Sequence, residues 1–142
     1  MKQTRQTNKK TQSKFTLLTI LLALIFCFTS LFACNKPVEP VVITADFSNY
    51  QLEDKTLKDF MQILQDEEML TFETSNGMIT SINGTSNTTN SFWMLYTNDA
   101  ELSNTAWGTI EYNGETFASA IYGFESLTLK DGCIYIWSYQ TF

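Results

Sequence analysis

Turn dipeptides divide the C-terminal half of this chain into short segments. Asn-Gly occurs at positions 76–77, 83–84 and 113–114, and Asp-Gly occurs at 131–132. These residues accept the positive φ that a tight hairpin turn requires. The segments between them, such as "MITSI" and "FWMLYT", are rich in β-branched and aromatic residues and are typical of strands. The sequence therefore predicts strands joined by turns, with hairpins through Asn113-Gly114 and through Asp131-Gly132.

One segment has a helical period instead. Thr56 and Asp59 have the spacing of a capping box, in which each side chain bonds to the backbone amide of the other residue. Apolar residues then recur three and four positions apart, at Leu57, Phe60, Met61 and Leu64, which predicts a helix over residues 56–65. Residues 41–47, "VVITADF", predict a first strand. This order predicts an α+β domain, with a β-grasp-like mixed sheet and one packed helix.

The first 33 residues have the pattern of a secretory signal peptide. Five basic residues and no acidic residue occupy positions 1–14, and an apolar run follows from Phe15 to Phe32;. The run is also close to the length of a spanning helix, so a single membrane anchor is the alternative.

The end of the apolar run, Leu31-Phe32-Ala33-Cys34, resembles a bacterial lipobox. The resemblance implies that the Cys34 thiol is acylated with diacylglycerol and that the chain is cut before it. Two acyl chains give a stable anchor. We therefore expect a lipidated cysteine and linker at residues 34–40, a domain at 41–142, and a location on the extracytoplasmic face of a cell membrane.

The mature chain would be strongly acidic. It would keep four lysines, at positions 36, 55, 58 and 130, no arginine and all fifteen acidic residues, for a formal charge of −11. Such a surface repels phosphate backbones and argues against nucleic acid as a partner. A cationic or neutral partner fits better, and the alternative is that the charge only maintains solubility.

The residue types present argue against catalysis. The chain contains no histidine, which excludes the commonest general base and the Ser-His-Asp arrangement. Cys133 is the one thiol left after maturation, and we expect it to be buried and inert in an apolar strand. The sequence therefore predicts no enzyme, no metal site and no cofactor.

Residues 77–98 and the C-terminal strand resemble the transcobalamin C-terminal-like domain. That family has a glycine with an I-x-S-I-x-G strand, then a W-M-x-Y-x-N strand and a closing L-x-D-G-D-x-I-x-W-x-Y segment. The corresponding residues here are Gly77, Ile79, Ser81, Ile82, Gly84, Trp93, Met94, Tyr96, Asn98 and the segment from Leu129 to Tyr139. Cys133 replaces the second aspartate of the closing segment. The resemblance implies a β-grasp domain that binds a soluble ligand and forms one wall of a cobalamin site.

Aromatic residues are the candidate ligand contacts. Trp107 lies between a polar loop and a glycine, where a ligand or a partner protein can reach it. Trp93, Tyr96 and Asn98 belong to the family's second strand motif, although Trp93 also suits the core. We expect a small-ligand-binding surface lipoprotein, with a corrinoid as the most specific candidate. The alternative is a module that binds a surface protein and no small molecule.

Overall fold

The computed structural model describes residues 37–142, of which Val38–Phe142 form a compact unit of their own. The predicted signal peptide and the predicted lipid site at Cys34 lie outside the described residues. Within residues 37–142, no helix has the length and hydropathy of a membrane span.

The described residues form eight strands and one helix. In chain order they are β1 (Val41–Thr44), α1 (Leu57–Asp66), β2 (Phe72–Ser75), β3 (Met78–Ile82), β4 (Thr85–Ser86), β5 (Ser91–Thr97), β6 (Ser103–Tyr112), β7 (Glu115–Ala120) and β8 (Ile134–Thr141). A five-stranded sheet has the order β1-β8-β5-β7-β6, and a three-stranded sheet has the order β2-β3-β4. Each of these pairings is antiparallel.

The predicted α+β class, with a β-grasp-like mixed sheet, is wrong. The described chain is mostly β, at 45% strand against 9% helix, and both sheets are antiparallel. A parallel pair needs a crossover that returns to the same sheet. Here α1 leads from β1 into β2, which belongs to the other sheet, and β1 pairs antiparallel with β8.

The helix prediction is confirmed. Thr56 Oγ1 accepts a hydrogen bond from the Asp59 amide at 3.3 Å, and Asp59 Oδ2 accepts one from the Thr56 amide at 2.9 Å. The predicted apolar stripe is the buried face of α1. At its centre, Met61 Sδ accepts a hydrogen bond from the Trp137 indole at 3.3 Å, which joins the helix to the five-stranded sheet.

Three of the four predicted turns join neighbouring strands. The Asn-Gly pairs at 76–77, 83–84 and 113–114 connect β2 to β3, β3 to β4 and β6 to β7, and both residues of each pair have positive φ. The hairpin predicted through Asp131-Gly132 is wrong. The chain before it bonds beside the helix start, where the Leu57 amide donates to the Leu127 carbonyl at 2.9 Å, and β8 pairs with β1 and β5 instead.

Side-chain alternation gives the five-stranded sheet two apolar faces. Tyr135 and Trp137 of β8 join the larger core with α1 and the three-stranded sheet. Ile136 lies on the opposite face, where it packs with Tyr96 and Phe117. Both clusters are built from residues of the Val38–Phe142 unit, so this unit carries its own core.

Removal of the Thr56 side chain tests the capping box at the start of α1. Thr56→Ala should lower the free energy of unfolding by about 1 kcal/mol, because the Asp59 amide loses its acceptor at the helix start. Urea denaturation of residues 37–142 measures the change. Thr89→Ala, at an exposed loop position, is the matched control and should change the value by less than about 0.5 kcal/mol; equal losses would contradict the capping role.

Tyr135 should make the fold sensitive to alkali. Burial raises the pKa of its phenol from 10.0 to about 12, so the folded state favours the neutral form. The resulting stability is present below about pH 10 and is lost as the pH rises through 12. Tyr135→Phe cannot ionise, so its disadvantage relative to wild type should shrink by on the order of 2 kcal/mol between pH 9 and pH 12. A stability difference between Tyr135→Phe and wild type that stays constant over this pH range would contradict the prediction.

Candidate ligand groove

A groove of about 410 Å³ opens between one edge of β5 and the hairpin of β2 and β3. It is lined by residues 77–80 of the hairpin, 92–95 of β5, 119–120 and 122–124 at and beyond the end of β7, together with Asn87 and Trp137. Most of these side chains are apolar, and none is charged. A volume of this size is in the range of small-molecule sites.

The groove has a buried floor and an exposed rim. Trp93, Trp137 and Phe124 are all at most 6% exposed, and the rings of Phe124 and Trp137 pack edge to face with centroids 6.0 Å apart. At the rim, the exposed fractions are 67% for Met78 and 51% for Tyr122. The rim therefore presents apolar side chains to solvent above a fixed aromatic base.

The groove exists because β5 and β7 separate. They pair only at Tyr96 with Ser119 and at Thr97 with Ala118. Beyond that point, the Ile121 amide donates to the Leu102 carbonyl at 3.0 Å, and the chain leaves β5. Residues 91–95 of β5 are therefore paired with β8 on one side, and within residues 37–142 no strand is hydrogen-bonded to them on the other.

Asn87 closes one end of the groove and connects the two sheets. Its backbone amide donates to the Thr80 carbonyl and its side-chain Nδ2 donates to the Ile79 carbonyl, both at 2.8 Å. Its Oδ1 accepts from the Trp93 amide at 3.0 Å. One side chain thus satisfies a donor on β5 and an acceptor on β3.

The position of Trp93 is fixed from several directions. Its indole N–H donates to the Thr85 carbonyl at 2.8 Å, and its ring packs against Tyr139 with centroids 5.2 Å apart. The Tyr139 hydroxyl donates in turn to the Ser86 carbonyl at 2.7 Å. The floor is therefore preformed, which lowers the cost of ordering it around a ligand.

Polar chemistry in the groove is sparse and neutral. Asn87, Thr80 and Ser119 contribute the polar side chains of the lining. Residues 37–142 contain no group of three His, Cys, Asp or Glu side chains suited to a metal ion. Cys133, predicted to be buried, is half-buried away from the groove, and burial raises the pKa of its thiol.

The structure brings only one of the predicted ligand residues into the groove. Trp93 lines it, whereas Tyr96 packs on the opposite face of the sheet with Phe117 and Ile136. Burial there raises the pKa of the Tyr96 phenol. Asn98 lies at the end of β5, where its Oδ1 accepts from the Ile134 amide at 2.8 Å.

Trp107 lies on a bulge of β6. The pairing of β6 with β7 jumps between Asn104 and Thr109, so residues 105–108 have no counterpart on β7. Within this bulge the Ala106 amide donates to Asn104 Oδ1 at 2.9 Å, and Gly108 has a φ of 120°. Trp107 is 61% exposed and is not among the residues that line the groove.

Several groove residues were not identified from the sequence. Asn87 lies in the polar stretch "TSNTTNS", where nothing distinguishes it from Asn90. Met78 follows a turn glycine and resembles an ordinary strand residue. The segment "YGF" at 122–124 was the one local pattern that could have indicated a groove residue, since two aromatic residues around a glycine are typical of a packed turn.

Comparison with known proteins agrees with part of the family resemblance. Residues 54–111 match the family described as "Domain of unknown function (DUF4430)", which is known as transcobalamin-like. The matched segment includes α1, the hairpin wall of the groove, Asn87 and β5. Neither the curated proteins nor the solved structures compared with this chain gave a match.

Removal of the Asn87 side chain should loosen the groove. Asn87→Ala leaves the Trp93 amide and the Ile79 carbonyl without their partners, at a cost of about 2 kcal/mol in the free energy of unfolding. Asn90→Ala is the matched control, because this exposed side chain makes no hydrogen bond to another described residue, and it should change stability by less than about 0.5 kcal/mol. Urea denaturation followed by tryptophan emission measures both. Equal stability of the two variants would contradict the bridging role of Asn87.

Proposed function

We propose that this domain binds a small, largely apolar ligand in the groove beside β5. The observation that carries the proposal is the combination of a preformed aromatic floor with an exposed apolar rim. Concave apolar sites with few polar groups are the usual form of small-ligand sites. Among the residues in and around the groove, no arrangement of acid, base and nucleophile suggests catalysis, so binding is the function we propose.

The proposed ligand is neutral or cationic. No charged side chain lines the groove, and a buried charge without a partner is costly. Residues 37–142 carry fifteen acidic residues against three lysines, and this net negative charge disfavours anions. A corrinoid is the specific candidate that the family resemblance supplies; it is larger than the groove and carries polar amides, so only the flat face of its ring would rest on Met78, Phe92 and Tyr122.

We further propose that the domain is held at the membrane by the lipid on Cys34. The short linker through residue 40 leads directly into β1, which begins at Val41. A domain tethered in this way would capture its ligand at the extracytoplasmic face of the membrane. In this reading the protein is a binding component of an uptake system.

A second candidate function is binding of a surface protein through Trp107. The observation that favours it is the 61% exposure of this side chain on a bulge of an edge strand. Tryptophan is enriched at the energetic centres of protein interfaces. This candidate requires no small molecule.

Rim variants separate the two candidates. Calorimetric titration of residues 37–142 with cyanocobalamin and with cobinamide should give saturable binding. Tyr122→Ala and Met78→Ala should weaken that binding about tenfold, because each removes apolar contact area at an exposed position where the fold does not depend on it.

Trp107→Ala is the matched control for these variants, since it removes an equally exposed aromatic residue outside the groove. It should leave the affinity unchanged. If Trp107→Ala abolished binding and the rim variants kept the wild-type affinity, the ligand site would lie at the bulge of β6 and not in the groove. Absence of saturable binding up to millimolar concentrations would exclude corrinoids as the ligand.

A further inference from the structure

We infer that the groove binds an extended peptide segment with basic flanks, hydrogen-bonded as an added strand to the open edge of β5. This inference rests on the proposed function of the groove and assigns it a peptide as ligand, in place of the corrinoid that the family resemblance supplies. The inference depends on backbone groups of β5. An apolar ligand held only by side-chain contacts would leave these groups without hydrogen bonds.

The direction of the β5 hydrogen bonds follows from its pairing with β8. The Asn98 amide donates to the Ile134 carbonyl, and the Asn90 carbonyl accepts from the Phe142 amide. Backbone groups of alternate residues in a strand point to opposite edges. The backbone N–H and C=O groups of the even-numbered residues of β5 therefore point toward β8, and those of the odd-numbered residues point toward the groove.

Two groups on the groove edge have no partner among residues 37–142. The Ser91 carbonyl accepts from the Thr88 amide at 2.8 Å, and the Trp93 amide donates to Asn87. The pairing with β7 begins only at Tyr96. The Trp93 carbonyl and the Leu95 amide remain between these bonds, as one acceptor and one donor that flank Met94.

This pair of groups matches the edge of a peptide. In a parallel pairing, one guest residue would donate its N–H to the Trp93 carbonyl and accept from the Leu95 amide. In an antiparallel pairing, two guest residues would make the same bonds. Peptides that add a strand to a sheet gain affinity from such bonds and specificity from pockets for alternate side chains.

The groove supplies surface for those alternate side chains. Trp93 and Leu95 lie on one face of β5, and Phe92 and Met94 lie on the other;. A guest strand beside them would direct every second side chain toward the floor formed with Phe124. Apolar residues at alternate positions of the peptide are therefore required.

Charge complementarity defines the ends of the peptide. The lining is neutral, but residues 37–142 carry fifteen acidic residues against three lysines. At the hairpin end of the groove, Glu125 Oε2 lies 3.0 Å from the position of a Cβ built on Gly77, and the other oxygen of this carboxylate is paired with Lys58 at 2.6 Å. The three lysines of residues 37–142 cannot balance fifteen acidic residues, so lysine or arginine beyond the apolar segment of a guest would meet a surface with a net negative charge;.

The probe is the blocked pentapeptide acetyl-KVFVK-amide, titrated into ¹⁵N-labelled residues 37–142. Binding should shift the Leu95 amide signal downfield as this N–H gains an acceptor. Two analogues, N-methylated at adjacent peptide nitrogens, make the test independent of register. Only one of two adjacent N–H groups can face β5, so one analogue should bind about three- to tenfold more weakly and the other within twofold of the parent.

Acetyl-EVFVE-amide should bind more weakly than the lysine peptide, and added salt should reduce the difference.

Two results would overturn the inference and leave the proposed groove standing. In the first, the pentapeptide binds and Tyr122→Ala weakens this binding, but the Leu95 amide signal does not move and both N-methylated analogues bind with equal affinity. The other is absence of peptide binding in a domain that binds cobinamide through Met78 and Tyr122. If neither the peptide nor a corrinoid binds the groove, the inference and the proposed function both fail.

Discussion

The hydrogen bonds of Asn87 are the constraint on which the groove depends. They hold the open edge of β5 and the edge of β3 at a fixed separation, because a single amide group spans from the Trp93 amide to the Ile79 carbonyl. Aspartate would lack the donor for Ile79, and glutamine would place the same group one methylene further out. The remaining features of the site, an aromatic floor and an apolar rim, follow once the two sheets are held apart in this way.

Local signals in the sequence were sufficient for the helix and for the Asn-Gly turns. The capping box and the apolar stripe of α1 agree in phase, and the turn residues adopt the positive φ that their chemistry allows. Pairing between distant strands was not predictable in this way. The Asp131-Gly132 turn is formed, but the chain before it bonds to residues near Leu57, a contact that no local pattern encodes.

The same distinction applies to the site. Trp93 was identified from its motif, and strand alternation alone would have placed Tyr96 on the other face of the sheet. The groove itself could not be predicted, because it exists only where β7 stops pairing with β5. That end point depends on how the β6–β7 hairpin aligns with β5, which meets β7 only at Tyr96 and Thr97, and no local pattern encodes this alignment. Asn87 was missed for a related reason, since its partners lie on two different strands.

The bulge of β6 has a consequence for how neighbouring molecules coexist. A continuous outer strand is a template for another chain, and copies held close together could join edge to edge into fibres. Residues 105–108 interrupt the regular main chain of β6, and β1, at the opposite edge of this sheet, has only four residues. The unpaired Trp93 carbonyl and Leu95 amide of β5 are recessed in the groove. Copies of this domain that are crowded together can therefore remain separate molecules while each keeps one strand position open.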